Sequence, residues 1–490
     1  MNLKLPLLLG CCLFAAITAC AETSASLDEN AAGKKKADVY ITTADRQQSF
    51  NHTTQKLSKT PAFESVITLN SKVKFQEMDG FGAAVTGSTC YNLMQMTPAD
   101  RAKFLTETFS DKDGLGFSYI RISIGCSDFS LSEYTCCDTK GIENFALQTE
   151  EKEYVIPILK DILAINPTIK ILGSPWTCPK WMKVNNLEEK KPFDSWTSGQ
   201  LNPDYYQDYA TYFVKWIEAF RNEGIDIYSV TPQNEPLNRG NSASLFMGWK
   251  EELAFVRDAL GPAFKAAGLD TKIYAFDHNY NYDNMADQQQ YPVKMYDDEV
   301  AAAFLTGAAY HNYGRCEELN NIQQKRPDKE LVFTETSIGM WNDGRNLEKR
   351  LMEDMREVAL GTVNNWCKGV IVWNLMLDNE RGPWREGGCK TCYGAVDISR
   401  DDYKTMTYNS HYYIIGHLST VVKPGAVHIE SKGVAEKGLM YSAFDNPDGT
   451  VAFVLLNEGT KEVRLTVTDG KNCVDCVVPA KSVASYRWKK

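Results

Sequence analysis

The stretch that decides the fold is Tyr228-Ser229-Val230-Thr231-Pro232-Gln233-Asn234-Glu235-Pro236. It starts as a short apolar run and ends on an amide, a carboxylate and a proline, the pattern of a strand that hands polar side chains to a loop. Seven further runs share its form: Asp79–Val85, Tyr119–Gly125, Lys170–Trp176, Lys272–Asn279, Gly307–Tyr313, Glu330–Thr336 and Gly369–Leu375. Amphipathic stretches with helix signals separate them. Thr97 stands before Pro98, and Asn202 before Pro203, each a capping side chain ahead of proline at the first helical position. Eight strands alternating with helices predict an α/β chain, a (β/α)8 TIM barrel over residues 76–410. A doubly wound sheet competes, but it commonly carries a GxGxxG phosphate loop, and no such motif occurs here.

Polar residues gather at the C-terminal ends of four runs: Asn234-Glu235, His311-Asn312-Tyr313, Thr334-Glu335 and Trp373-Asn374. In a TIM barrel those ends build the active-site face. Glu235 ends the fourth run and Glu335 the seventh, across the barrel from each other. Cleaving a glycosidic bond takes two such carboxyls: one protonates the departing oxygen, and the other attacks the anomeric carbon or activates water.

The chain has 490 residues, 53 basic against 63 acidic, for a net charge of −10. That balance, with no basic stripe, excludes a nucleic-acid partner. After residue 410 the pattern turns to short strands and turns such as Asn446-Pro447-Asp448-Gly449, a small all-β domain. Ahead of the barrel, Lys4, an apolar run from Leu5 to Ala16, and Ile17-Thr18-Ala19-Cys20 form a secretory leader. Its ending resembles a bacterial lipoprotein signal, with Cys20 as the lipidated first residue of the mature chain. The protein is therefore expected to be exported and lipid-anchored to a bacterial outer membrane, on the cell surface or the periplasmic side. Residues 21–45 read as a flexible tether. Cys389-x-x-Cys392 and Cys473-x-x-Cys476 have zinc-like spacing but no histidine nearby, which leaves local disulfides or buried thiols ahead of zinc.

Ordered matches along residues 66–490 make the sequence similar to glycoside hydrolase family 30, which includes glucosylceramidases and β-1,6-glucanases. They comprise Asp79-Gly80-Phe81-Gly82-Ala83-Ala84, Ile120-Arg121-Ile122-Ser123, Cys126-Ser127-Asp128-Phe129-Ser130, Ser174 to Lys183, Thr231 to Pro236, Phe333 to Glu335, Trp373-Asn374-Leu375, Gly382-Pro383 and Tyr413 to His417. The resemblance implies retention of anomeric configuration, Glu235 as acid/base and Glu335 as nucleophile, with Arg121 and Tyr313 near the nucleophile. It points to Asp128, Trp176, Asn234, Trp373 and Asn374 as sugar contacts, and leaves His311 as a substrate contact or an orienting neighbour. It implies a β-sandwich from residues 46–75 and 411–490, and neither metal nor organic cofactor. The polar loops after Glu235 and after the eighth run fit a carbohydrate leaving group better than two lipid chains. The leading expectation is a retaining endo-β-1,6-glucanase, monomeric, acting on a β-linked glucan or glucoside. A glucosylceramidase or β-glucosidase is the near rival, and a non-catalytic glycan-binding lipoprotein the rival of another class.

Overall fold

A computed structural model describes residues 35–280, 285–312 and 315–490. The leader, Cys20, most of the tether and Tyr313 lie outside the described residues. All eight expected runs enter one closed parallel barrel: Gly80–Ala84, Tyr119–Ser123, Lys170–Ser174, Ser229–Val230, Lys272–Asn279, Gly307–His311, Glu330–Glu335 and Cys367–Asn374, neighbours in that order, with the last pairing back to the first. Both proline-marked helices form where expected. Thr97 caps Pro98–Phe109 by accepting from the Asp100 amide, and Asn202 precedes a helical segment that runs to Asn222.

The barrel interior is filled, not hollow. Tyr119, Leu172, Tyr274, Ala309, Val332 and Ile371 point inward from six strands as one cluster. A ring of ion pairs plugs the lower end: Lys170 on Asp79 at 2.6 Å, and Lys272 and Lys368 on Glu330 at 2.9 and 2.8 Å. The upper end is therefore the one open to ligands.

The fourth strand is shorter than its apolar run, ending at Val230. Pro232 cannot donate to a ladder, so the chain leaves the sheet there. It is caught again at Glu235, whose amide donates to the Asp277 carbonyl at 2.9 Å and whose φ is +45°. A left-handed carboxylate residue held in place by its neighbour strand is local strain kept by the surroundings.

Nine strands outside the barrel join in one sheet wrapped around a second core, which includes Ile67, Phe453, Leu455, Val467 and Trp488. Two expected boundaries move. Residues 36–43, read as tether, form a strand paired with both Asn51–Lys56 and the final strand Ser482–Lys489; Ala37 and Val39 alternate inward and anchor it. Residues 411–419, read as sandwich, belong to the helix Ser410–Ser419, and the sandwich resumes at Val427. Every residue of that helix is buried, so it carries no amphipathic period to read. His417 fastens it to the sandwich through Ser485 and Thr42, at 2.8 and 2.9 Å.

Cys389 and Cys392 form a disulfide, whereas Cys473 and Cys476 are free thiols buried in the sandwich. No helix among the described residues is long and apolar enough to cross a membrane.

Candidate active site

At the upper end the tips of strands four and seven meet. A carboxylate oxygen of Glu235, one of Glu335 and a ring nitrogen of His311 lie within 4.8 Å of one another. All three residues are buried, and both carboxylates line a cleft of about 320 Å³. This trio is the one group of described residues spaced to grip a cation, but positive charge is already supplied there: Arg121 Nη1 donates to Glu335 Oε2 at 2.6 Å.

Beneath the trio lies Asp277, which sequence reading missed. It sits at the tip of strand five, where the register shifts and both Phe276 and Asp277 take positive φ. That bulge turns its carboxylate into the barrel axis. Oδ2 accepts from Arg121 Nη2 at 2.7 Å, Ser174 Oγ at 3.0 Å and Thr231 Oγ1 at 2.7 Å. Oδ1 accepts from Thr334 Oγ1 at 2.6 Å and faces His311 Nε2 at 3.0 Å. Burial alone would neutralise such an acid, but Arg121 and His311 hold it far below the usual carboxylate range. One buried anion thus ties five strand ends together and sets the orientation of Arg121 and His311.

His311 spans the gap between that hub and the acid: its Nδ1 is 3.1 Å from Glu235 Oε1. Burial disfavours its charge, yet Glu335 and Asp277 outweigh burial and raise its pKa to about 9. Burial also resists charge on Glu235, but the His311 hydrogen bond, the neighbouring His278 and the amide of Asn238 at 2.7 Å bring it down to about 2. For Glu335 burial comes first and Glu235 adds repulsion, so its pKa rises despite His311 and Arg121. His311 therefore stays charged through neutral pH and faces an ionised Glu235 across a 3.1 Å contact.

Trp176 and Trp373 are buried, stacked at 5.3 Å, with the Arg121 guanidinium 4.9 and 5.4 Å from their ring centres. Trp373 reaches the cleft wall, and Trp176 backs it. Asp128 also lines the cleft. Its Oδ1 is buried with no hydrogen-bond partner among the described residues, and burial, helped by Glu335, pushes its pKa up to about 7.

Of the expected sugar contacts, then, Asp128 and Trp373 face the cleft. Asn234 is spoken for underneath, its Oδ1 accepting from Arg121 Nη2 at 2.7 Å. Asn374 Oδ1 accepts from the helix-capping Thr86 Oγ1 at 2.7 Å, and its Nδ2 is buried with no hydrogen-bond partner among the described residues. Asn238 and Asn241, on the loop after strand four, both donate to Glu235 Oε2, at 2.7 and 3.3 Å. The signal for Asp277 was present: Asp277-His278-Asn279 is a polar tip like those of the other strands.

Profile comparison matches residues 78–422 to the glycosyl hydrolase family 30 TIM-barrel domain and residues 425–486 to the glycosyl hydrolase family 30 beta sandwich domain. The solved structure of the endo-β1,6-glucanase BT3312 is 68% identical, with a TM-score of 0.91 over 93% of this chain and 99% of that one. An endo-1,6-β-D-glucanase of Trichoderma harzianum is 30% identical, covering 84% of each chain. A putative glucosylceramidase of Caenorhabditis elegans is also 30% identical, over 86% of this chain and 82% of its own.

Proposed function

The chain belongs to glycosyl hydrolase family 30, and from that premise we propose that it is a retaining endo-β-1,6-glucanase with Glu335 as nucleophile and Glu235 as acid/base. The observation that carries the mechanism is the approach of the two carboxylates within 4.8 Å from opposite strands. Retaining enzymes hold the pair about 5–5.5 Å apart, and inverting ones wider, to leave room for a water. The likeness to a solved β-1,6-glucanase, 68% identical in sequence with a TM-score of 0.91, supports the substrate.

In the first step Glu335 attacks the anomeric carbon and the glycosidic C–O bond breaks. Glu235 gives its proton to the departing oxygen, and the sugar stays esterified to Glu335. In the second, the Glu235 carboxylate takes a proton from water, whose oxygen displaces Glu335 at the same carbon. Two inversions give net retention.

The resting cluster is one proton shift from readiness. Moving the His311 proton across 3.1 Å to Glu235 leaves a neutral imidazole, which donates from Nε2 to Asp277 and accepts at Nδ1 from the Glu235 acid. The same shift removes both the Glu235 charge that opposes an ionised Glu335 and the His311 charge that favours it, so Arg121, donating at 2.6 Å, is the cation left to hold the nucleophile. Glu335 is then an ionised nucleophile facing Arg121.

Product analysis on β-1,6-glucan, β-1,3-glucan, xylan and glucosylceramide tests the substrate: short β-1,6-linked oligomers are expected, and turnover of the sphingolipid alone refutes the reading. Turnover of an aryl β-glucoside that persists undiminished in Glu335→Gln would sink the mechanism. Export with lipidation at Cys20 and action as a monomer belong to the same proposal. The Cys389–Cys392 disulfide supports an oxidising compartment. Cys20→Ala is expected to release the protein from membranes.

A further inference from the structure

The loop after strand seven carries an indole that the hydrolytic machinery does not use. Trp341 is 51% exposed, one of the few large apolar side chains so placed, and it lines the same cleft as Glu235 and Glu335. An isolated exposed tryptophan on a free loop would need no explanation. This one is fixed. Ile338 and Gly339 pair antiparallel with Tyr393 and Cys392, and the Met340 amide donates to the Thr391 carbonyl at 2.9 Å. The facing strand is itself closed by the Cys389–Cys392 disulfide, and Arg345 lies 4.2 Å over the Tyr393 ring. The indole rests on Gly339: a Cβ there would stand 2.0 Å from Trp341 Cζ3 and 2.5 Å from the Thr391 carbonyl oxygen. Only glycine lets the ring lie down on the strand. One face is therefore backed by the hairpin, and half of the side chain is left to solvent at the rim.

Trp373, backed by Trp176, lines the inner wall of the cleft, whose volume of about 320 Å³ takes the ring under attack. Any further sugar of a glycan chain has to leave past the rim. A pyranose presents an apolar C–H face that suits an indole held at a fixed angle. The geometry points to Trp341 as the stacking platform for a second sugar ring of the glycan, adjoining the one that is cleaved, with the Cys389–Cys392 hairpin as its support. The inference rests on the glucanase reading. It makes recognition of chain length a property of this loop, separate from the two glutamates.

The test compares kcat/KM on a short β-1,6-linked oligosaccharide, which fills both positions, with that on a nitrophenyl β-glucoside, which has one sugar. For Trp341→Ala the oligosaccharide is expected to lose about tenfold more than the aryl glucoside, the scale of one lost apolar contact face. Trp341→Phe should recover most of that difference, because a ring remains. An equal loss on both substrates, or none on the oligosaccharide, overturns the inference. The two readings fail differently. If the wild-type protein leaves β-1,6-linked substrates uncut while cleaving the aryl glucoside, the glucanase assignment falls. If the wild type cuts them and Trp341→Ala cuts them as well, only the platform falls.

Discussion

Asp277→Asn changes one atom of a residue that touches no substrate, and the site geometry fixes what that change does. The carboxylate meets donors on both oxygens: Arg121, Ser174 and Thr231 on Oδ2, Thr334 and His311 on Oδ1. An asparagine has one oxygen to offer. The three donors on the Oδ2 side, one of them cationic, hold it there, and the amide NH2 is left facing His311 Nε2 and the Thr334 hydroxyl. The imidazole must then accept at Nε2, so its proton sits on Nδ1 and points at Glu235 Oε1. Glu235 becomes the acceptor in that contact, and a neutral imidazole protonated at Nδ1 has no proton to pass to it without becoming an anion.

General acid catalysis contributes about 10²–10⁴ in rate, and that is the loss expected for kcat on β-1,6-glucan, whose leaving group is a poor sugar alkoxide. An activated aryl glucoside such as the dinitrophenyl β-glucoside needs no proton to depart, so its glycosylation step should fall by about tenfold or less. The variant also leaves part of the Arg121 charge uncompensated, and breaking a buried pair costs about 3–5 kcal/mol, so folding is checked by circular dichroism before rates are compared. Equal losses on the two substrates in a folded variant would refute the tautomer argument. So would retention of full activity on the glucan.

Loss of the acid/base group itself gives a second signature: Glu235→Ala should retain slow glycosylation with an activated aryl glucoside and be accelerated by azide, yielding the β-glucosyl azide, whereas an α-azide would mean that the reaction inverts. His311 makes stability pH-dependent. Its pKa is about 9 in the fold against 6.5 unfolded, so the stabilisation it adds is complete below about pH 6.5 and is lost as pH rises through about 9; urea midpoints between pH 6 and 10 should show that decline, and His311→Asn should flatten it. Asp128 has its carboxyl raised to about 7, so its ionisation weighs on the fold as pH climbs from about 4 through 7. Asp128→Asn should therefore stabilise the fold at pH 8 by on the order of a few kcal/mol, seen as a raised melting temperature, while weakening sugar binding; a variant less stable than wild type at that pH would show the charge to be compensated.

Most of the barrel was legible because every strand announces itself by an apolar run, and four of them again by a polar tip. The two glutamates came with those tips. What escaped was anything fixed by backbone conformation. Nothing in Phe276-Asp277-His278 signals two successive residues with positive φ, and without that bulge Asp277 reads as a solvated loop acid, not the centre of a five-partner network. Asn374 follows a cleft tryptophan in sequence, and its Oδ1 accepts from Thr86 while its Nδ2 has no hydrogen-bond partner among the described residues. The helix Ser410–Ser419 was lost to the sandwich because burial on all sides erases the period that marks a surface helix.

The same distinction separates what the site does from what it selects. Arg121, Asp277, His311 and the two glutamates bond to one another across strand ends, so their arrangement is determined by the closed barrel and allows little change without loss of a buried partner. Trp341 stands on a connecting loop, where replacement costs the fold little, whereas Asn238 and Asn241, though also on a loop, donate to Glu235 and belong with the proton network. Acid/base chemistry is therefore expected to survive changes to the rim that redirect the enzyme among glycans. Exchanging the segment 338–345 for that of a glucosylceramidase relative should move the preference between oligosaccharide and aryl glucoside while leaving the pH dependence of turnover in place. If the pH profile moved with the loop, the rim and the proton network would have to be treated as one unit.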